Sequence, residues 1–535
     1  MNPGRTVRHP RRDQATVTRH VHRIGLGWIG LGWIGLGRIG LGRIHVDCPP
    51  WFHILLGTVG GSLMAAAAWL AGPHEVTAGS SLTAATLTET SYRWGLFAWF
   101  VGLVVLLTAW WLARSTPRMV ATALWWGLPF VAAPILASRD AFAYANQGQL
   151  AQAGHNPYAM GPVDLPTAWL TWMDPYWQSE PAPYGPLFIT LASLIVWLSG
   201  DELAVALALF RLVAVVGVLG CGYFAVRIAS RVGRSPETAW WVIVLGPLTL
   251  IHVVGGAHND ALMLTGMVAA VYLALLNRAG WSGFVLGLAV AVKATVVVVA
   301  PFLLLLALPV FSWRGLWPVL ARALGGFLAS FGAVTLASGL GLGWIAALGV
   351  SGKSESWLSL PTGLSIATAK LAGKFGVELP ANLVSWWRLL GLIVAAIVIL
   401  AWWWRARDAT LAGRITAAGW SLAAVAVLGP VMLPWYCLPA LMLLAIGADR
   451  RSVTWAAVAA SVFSVMVLAD GHNVFAAQFF QVGLVVNIGF AVLLGWIAWR
   501  WYREGRHPGG NPQPAMGRGD DDRDTERPAG VAGSA

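Results

Sequence analysis

The chain has 535 residues, of which 57% are hydrophobic and only 11% charged, with a formal net charge of +12. A soluble globular chain carries about 25% charged residues, and apolar runs of about 20 residues recur down this one, so a string of soluble domains is excluded. A nucleic-acid-binding role is excluded as well, because the basic residues stand at the ends of apolar segments, where they set orientation in a membrane.

Residues 1–50 are basic and hold a tandem pentad from Ile24 to Arg43, read as IGLGW twice and IGLGR twice. Glycine at every second position of that run weakens any helix. This stretch is expected to be a disordered, low-complexity cytoplasmic tail. The apolar segments then run 51–72, 94–113, 119–137, 186–199, 203–226, 238–255, 260–276, 281–292, 295–310, 316–340, 385–404, 411–428, 433–447, 453–469 and 482–499. Most are long enough to cross a core of about 30 Å as helices. Segments 186–199 and 281–292 are short. At 1.5 Å per residue, 14 residues reach only about 21 Å. Residues 503–535 are polar and rich in Pro, Gly and Asp, and read as a second disordered cytoplasmic tail. The expected organisation is 1–50 tail, 51–502 membrane domain and 503–535 tail. The fold class is all-α, a polytopic bundle of about 13–14 transmembrane helices.

Arginine placement orients the bundle. If 186–199 does not cross, then Arg114, Arg118, Arg227, Arg231, Arg234, Arg278, Arg314, Arg405, Arg407, Arg450, Arg451, Arg500 and Arg503 all fall on one side, as the positive-inside rule asks. Segment 186–199 is therefore expected to be re-entrant or juxtamembrane, with both termini inside. The scattered Cys48, Cys221 and Cys437 supply neither a disulfide framework nor metal-ligand spacing.

Under this topology the outer face collects the polar chemistry. The largest piece is 139–185, starting at Arg139 and Asp140 and passing through Tyr144, Tyr158 and Tyr184. It is too polar for lipid and too aromatic for a plain linker. His258, Asn259 and Asp260 follow two glycines between apolar runs, and Trp435 and Tyr436 stand at the outer start of another. Residues 341–384 form a second outer loop. Two charges, Arg211 and Lys293, lie within or between apolar runs. A charge at that depth faces a polar cavity or ligand, or pairs within the bundle, and both readings are open.

Taken together, the stretches SRDAFAYANQGQLAQAGHNPYAMGPVDLP, PAPYGPLF, GPLTLIHVVGGAHNDALM, LAVAVKAT and LPWYCLPAL resemble the actinobacterial polyprenol-phosphomannose-dependent α-1,6-mannosyltransferases of MptA and MptB type, over about residues 90–500. The resemblance implies the multi-spanning GT-C glycosyltransferase fold. It also implies transfer of mannose from a polyprenyl-phosphate donor to the 6-hydroxyl of a lipid-anchored α-1,6-mannan, at the outer face of the plasma membrane. The partners implied are that lipid donor, the lipid-anchored acceptor and membrane lipids, with no nucleic acid. Such enzymes carry a catalytic carboxylate at the start of the first large outer loop, which is Asp140 here. A β-linked donor and an α-linked product mean inversion.

Chemistry supports the same residue. Inverting transfer needs one carboxylate to take the acceptor hydroxyl proton. The phosphate leaves as an anion, so no acid partner is required, but a cation or hydrogen-bond donor is. Arg139, Arg211 and Lys293 are the donor-phosphate candidates, arginine being suited to bidentate contact. Tyr144, Tyr158, Tyr184, His258, Asn259, Asp260, Trp435 and Tyr436 are the expected substrate-binding residues. The bland alternatives are that Asp140 only caps a helix over 141–153, and that the tyrosines and tryptophan form an interfacial belt. Neither a cofactor nor a metal is expected. The competing functions are a polyprenyl-phosphate-dependent transferase of another sugar, such as arabinofuranose, or a lipid or sugar transporter. A transporter would show paired repeats, and no two-fold repeat is visible in the sequence.

Overall fold

A computed structural model describes residues 49–73, 89–114, 118–349, 358–472 and 474. The described residues up to 474 fall in one contact-defined unit, 1–484. They are predominantly helical, and no strand occurs among them. The helices are α1 (Pro50–Ala71), α2 (Glu89–Leu112), α3 (Met119–Ala132), α4 (Asp140–Gln152), α5 (Pro186–Ser199), α6 (Leu203–Arg231), α7 (Pro236–Ile243), α8 (Asp260–Leu275), α9 (Ala279–Val290), α10 (Ala300–Leu306), α11 (Trp313–Ser338), α12 (Trp344–Ala347), α13 (Leu360–Lys374), α14 (Leu383–Ala406), α15 (Leu411–Leu428), α16 (Leu438–Gly447) and α17 (Arg450–Ser464). A π-helical segment, Thr249–Gly255, precedes α8.

The all-helical membrane class expected from the sequence is what the structure has. Six described helices are long and apolar enough to cross a membrane: Trp51–Ala71, Thr90–Leu112, Leu203–Arg231, Trp313–Ser338, Leu383–Ala406 and Leu411–Leu428. The π-helical segment and α8 pass that test only as a pair, bent by 114°. The other expected spans fall on shorter apolar helices, on α17, or on 482–499, which lies outside the described residues. Proline accounts for much of the shortening. The expected run 119–137 ends as helix at Ala132, because Pro134 disfavours helical backbone in the residue before it. The run 238–255 breaks at Gly246–Pro247 into α7 and the π-helical segment. Segment 186–199, expected not to cross, is the 14-residue α5, packed against α4 and α6. The expected tails lie outside the described residues except for residues 49 and 50, where Pro50 already begins α1.

Small residues let the helices approach. α1 and α2 pack antiparallel, and a Cβ on Gly60 would stand 2.7 Å from the backbone N of Leu106. α9 and α11 run side by side, and a Cβ on Gly283 would stand 1.9 Å from the Ala323 carbonyl oxygen. This is the close backbone packing that helices in lipid depend on, where burial of apolar surface gives little drive. Buried tryptophans satisfy their N–H groups across helices: Trp110 and Trp241 stack at 4.5 Å and each donates to the other's carbonyl, at 2.8 and 2.6 Å. Outward faces of α11 and α14 present Leu328, Leu336, Trp386, Ile397 and Leu400, all exposed, as lipid-facing surfaces do.

Candidate active site

Two carboxylates begin two helices in the same way. Asp140 is the first residue of α4, and Asp260 the first of α8. Three residues before each stands an alanine in the left-handed region, Ala137 at φ 58° and Ala257 at φ 53°. Residues other than glycine rarely hold that conformation, and it concentrates at functional sites. After Ala257 the chain turns from the π-helical segment into α8. That bend carries His258, Asn259 and Asp260 into the bundle, where all three are buried. π-Helical turns are rare and recur at functional sites.

Lys293 follows α9 and reaches back to Asp260, with its Nζ 3.0 and 2.9 Å from the two carboxylate oxygens. The ammonium also sits over the Tyr436 ring at 5.0 Å. His258 Nδ1 lies 3.7 Å from Asp260 Oδ2. The His258 ring packs edge-on against Trp435 at 4.4 Å, and His252 of the π-helical segment contacts the same indole at 5.1 Å. From α4, the Tyr144 hydroxyl donates to Asn259 Oδ1 at 3.3 Å. Tyr144 also meets Tyr184 edge-to-face at 5.3 Å.

Electrostatics tie Asp140 to this group. Burial, and then the neighbouring Tyr184 and the Asp140 charge, push the Tyr144 phenol well above its ordinary value. Burial likewise pushes Tyr184 up, followed by Asp140, Tyr436 and Asp260. Both phenols therefore stay protonated donors. Asp140 and Asp260 differ in their partners. Asp260 is buried and spent on Lys293. Asp140 is half-buried, and among the described residues no ion pair to its carboxylate is found. Nor does Asp140 act as a cap: Arg139 precedes the helix, and the Asp140 N–H is taken by the Ser138 hydroxyl at 3.0 Å.

The sequence-predicted residues thus separate. Asp140, Tyr144, Tyr184, His258, Asn259, Asp260, Lys293, Trp435 and Tyr436 converge. Arg139 adjoins Asp140, but its Nη1 donates to the Trp172 carbonyl at 2.9 Å. Arg211 turns inward and donates from Nη1 to the carbonyls of Val131 (3.1 Å) and Ala133, and from Nη2 to that of Gly255 (3.0 Å). Of the two readings open for Arg211, pairing within the bundle is the one its partners match, and both terminal nitrogens are used up in it. Tyr158 packs on Gly343, just before α12, rather than on Tyr144 or Tyr184. Sequence reasoning missed two groups. His252 is a single polar residue within an apolar run. Asp470 and His472 stand in a short polar break after α17, a signal of the same kind as His258–Asp260. Buried polar atoms remain without a hydrogen-bond partner among the described residues: both ring nitrogens of His252, Nδ2 of Asn259 and Nε1 of Trp435. Such donors and acceptors are costly to bury unpaired.

Two family models match the chain: "Alpha-(1->6)-mannopyranosyltransferase, N-terminal domain" of the MptA/MptB family over residues 54–309, and "MptB C-terminal domain" over 361–500. The chain is 35% identical over 333 residues to alpha-(1->6)-mannopyranosyltransferase A of Mycobacterium tuberculosis, covering 59% of this chain and 63% of that protein, under two thirds of its length. It is 29% identical over 454 residues to a probable alpha-(1->6)-mannopyranosyltransferase of Mycolicibacterium smegmatis, covering 76% of this chain and 80% of the relative. With alpha-(1->6)-mannopyranosyltransferase B of Corynebacterium glutamicum it shares 28% identity over 401 residues, 69% of this chain and 66% of that one. No solved structure matches.

Proposed function

Because the chain belongs to the MptA/MptB family of alpha-(1->6)-mannopyranosyltransferases, we propose that it is a membrane mannosyltransferase with Asp140 as its general base. The donor in this reading is a polyprenyl phosphomannose. The acceptor is the 6-hydroxyl of a lipid-anchored α-1,6-mannan, and the site opens to the outer face of the plasma membrane. The observation that carries the reading is the pairing of unlike carboxylates in one cluster: Asp140 without an ion pair among the described residues, Asp260 locked to Lys293.

The chemistry follows from that difference. The acceptor oxygen attacks C1 of the mannose while the bond from C1 to the phosphate oxygen breaks. Asp140 takes the hydroxyl proton as the nucleophile forms. The electron pair of the broken bond leaves with the polyprenyl phosphate. Lys293 is the cation for that phosphate, since an ammonium has three donors and Asp260 engages it through two oxygens. Asp260 fixes its position in a site of low dielectric, where such a charge acts strongly. Tyr184, Tyr436 and Trp435 offer ring faces to the sugars, and Asn259 and His258 offer polar atoms to their hydroxyls. Arg211 takes no part in phosphate binding in this scheme, and Arg139 contributes charge beside Asp140 rather than a phosphate fork. The outward opening is supported by the arginine distribution: under the topology expected from the sequence, Asp140 and His258 fall on the side opposite the basic clusters.

Purified protein supplied with labelled polyprenyl phosphomannose and a short α-1,6-mannoside tests this. Transfer should require the lipid donor, fail with nucleotide-mannose alone and persist with EDTA, because a monophosphate leaving group beside Lys293 does not demand a metal. Use of nucleotide-mannose without any lipid would overturn the donor assignment.

A further inference from the structure

The turn that presents Asp140 is held from two sides by elements distant in sequence. Residues 133–139 form a non-helical strap between α3 and α4. On one side, Leu136 N–H donates to the Gly255 carbonyl at 3.3 Å, and Arg211 joins that same carbonyl to those of Val131 and Ala133. On the other side lies the loop after α17. The Ala469 carbonyl accepts the Ala137 N–H at 2.8 Å. Gly471, at φ 92°, sits so close that a Cβ there would stand 3.2 Å from Cα of Ser138.

Asp470 shapes that loop. It is buried, at 3% exposure. Its Oδ1 accepts the His472 backbone N–H at 2.9 Å. Its Oδ2 accepts the Tyr92 hydroxyl at 2.9 Å and lies 2.9 Å from His472 Nδ1. Its charge also reaches Arg139, the residue before Asp140. The strap between these holds Ala137 left-handed, a conformation that an L residue keeps only where its surroundings over-determine it.

We infer that Asp470, together with Tyr92 and His472, is a positioning residue for Asp140, locking the left-handed turn at Ala137 that aims the base. The inference rests on the reading of Asp140 as the base. It joins the two family-matched regions: the region matched by the C-terminal model supplies Asp470 and His472, and that matched by the N-terminal model supplies Tyr92 and the carboxylate that is aimed. Asp470 does not touch the reacting atoms. Its loss therefore shifts the fraction of molecules with Asp140 in place, and lowers kcat while KM for the lipid donor stays put.

Four variants test it: Asp470→Asn, Tyr92→Phe, Asp470→Asn with Ala137→Gly, and Asp140→Asn as reference. A shift of one or two kcal/mol in the turn's equilibrium reads as a fall in kcat of about 5–30-fold for Asp470→Asn, with a smaller fall for Tyr92→Phe. Ala137→Gly should restore part of the rate in the Asp470→Asn background, because glycine takes a positive φ unaided. Rescue at residue 137 is a readout that a general loss of fold would not give. Gel filtration and unfolding temperature report folding, and Tyr92→Phe carries the test if Asp470→Asn does not fold. Unchanged kcat in both single variants overturns the inference. So does a loss that Ala137→Gly does not relieve, or one that appears in KM. An active Asp140→Asn would instead sink the base assignment, which separates the two failures.

Discussion

Replacing Lys293 by methionine removes one ammonium and keeps most of the stem. Asp260 then loses both of its N–H···O contacts, at 3.0 and 2.9 Å. Its side chain is only 2% exposed, so water cannot take their place. Breaking a buried pair from one side costs about 3–5 kcal/mol, because a bare charge is left behind. That is roughly a hundredfold to several-thousandfold in the folding equilibrium. The double variant Lys293→Met with Asp260→Asn removes both charges, and most of the lost stability should return. Thermal unfolding in detergent, followed by tryptophan fluorescence, measures the first effect, and mannose transfer measures the second. The single variant should unfold at a distinctly lower temperature and the double variant near wild type. Neither should regain transfer, since the leaving phosphate has lost its cation. A single variant as stable as wild type would refute the buried-pair argument, and an active double variant would refute the role of Lys293.

Arg211→Lys cannot reach the carbonyls of Val131, Ala133 and Gly255 together. It should lower stability and kcat without raising KM for the lipid donor; a raised KM would restore the phosphate reading of Arg211. Gly283→Ala places a methyl where the Ala323 carbonyl stands. It should force α9 from α11 and cost about 1–3 kcal/mol, visible as a lower unfolding temperature; an unchanged temperature would mean that the two helices yield freely. Burial raises the Asp470 carboxyl, but its bonds with His472 and Tyr92 outweigh that and hold it below its ordinary 3.8. A carboxylate whose folded value is depressed stabilises above its unfolded value and ceases to do so as pH falls through the folded one. The part of the stability gap between wild type and Asp470→Asn that the carboxylate charge supplies should therefore be lost on acidification only below about pH 4, as pH-dependent unfolding would show. A gap that closes near pH 6 would contradict it.

The helical class was legible because charge-free runs of membrane length admit little else. The expected helix over 141–153 is α4, Asp140–Gln152, displaced by one residue. Most of the candidate site was legible for a single reason. Polar residues at the ends of apolar runs cannot face lipid, so Asp140, His258–Asp260, Lys293 and Trp435–Tyr436 had to find one another. Span lengths were less legible. Hydropathy does not register that Pro134 and Gly246–Pro247 end helices inside apolar runs, and those breaks create the strap and the π-helical segment. The sequence left both readings of Arg211 open because its partners are backbone carbonyls of Val131, Ala133 and Gly255, which those breaks bring within its reach. Asp470 was overlooked because a short polar break resembles an ordinary interhelical turn until its neighbour, Ala137, is known. Tyr158 shows the converse: a tyrosine in the aromatic loop that packs on Gly343 instead.

Asp140→Asn tests the central claim most directly, since it keeps size and most hydrogen bonding but removes the oxygen that accepts the proton. Its rate of transfer from polyprenyl phosphomannose, measured at saturating donor in protein that unfolds at the wild-type temperature, should fall by about 10²–10⁴-fold, as for a lost general base. A rate near wild type, with Asp260→Asn inactive in the same assay, would move the base to the other carboxylate and contradict the account.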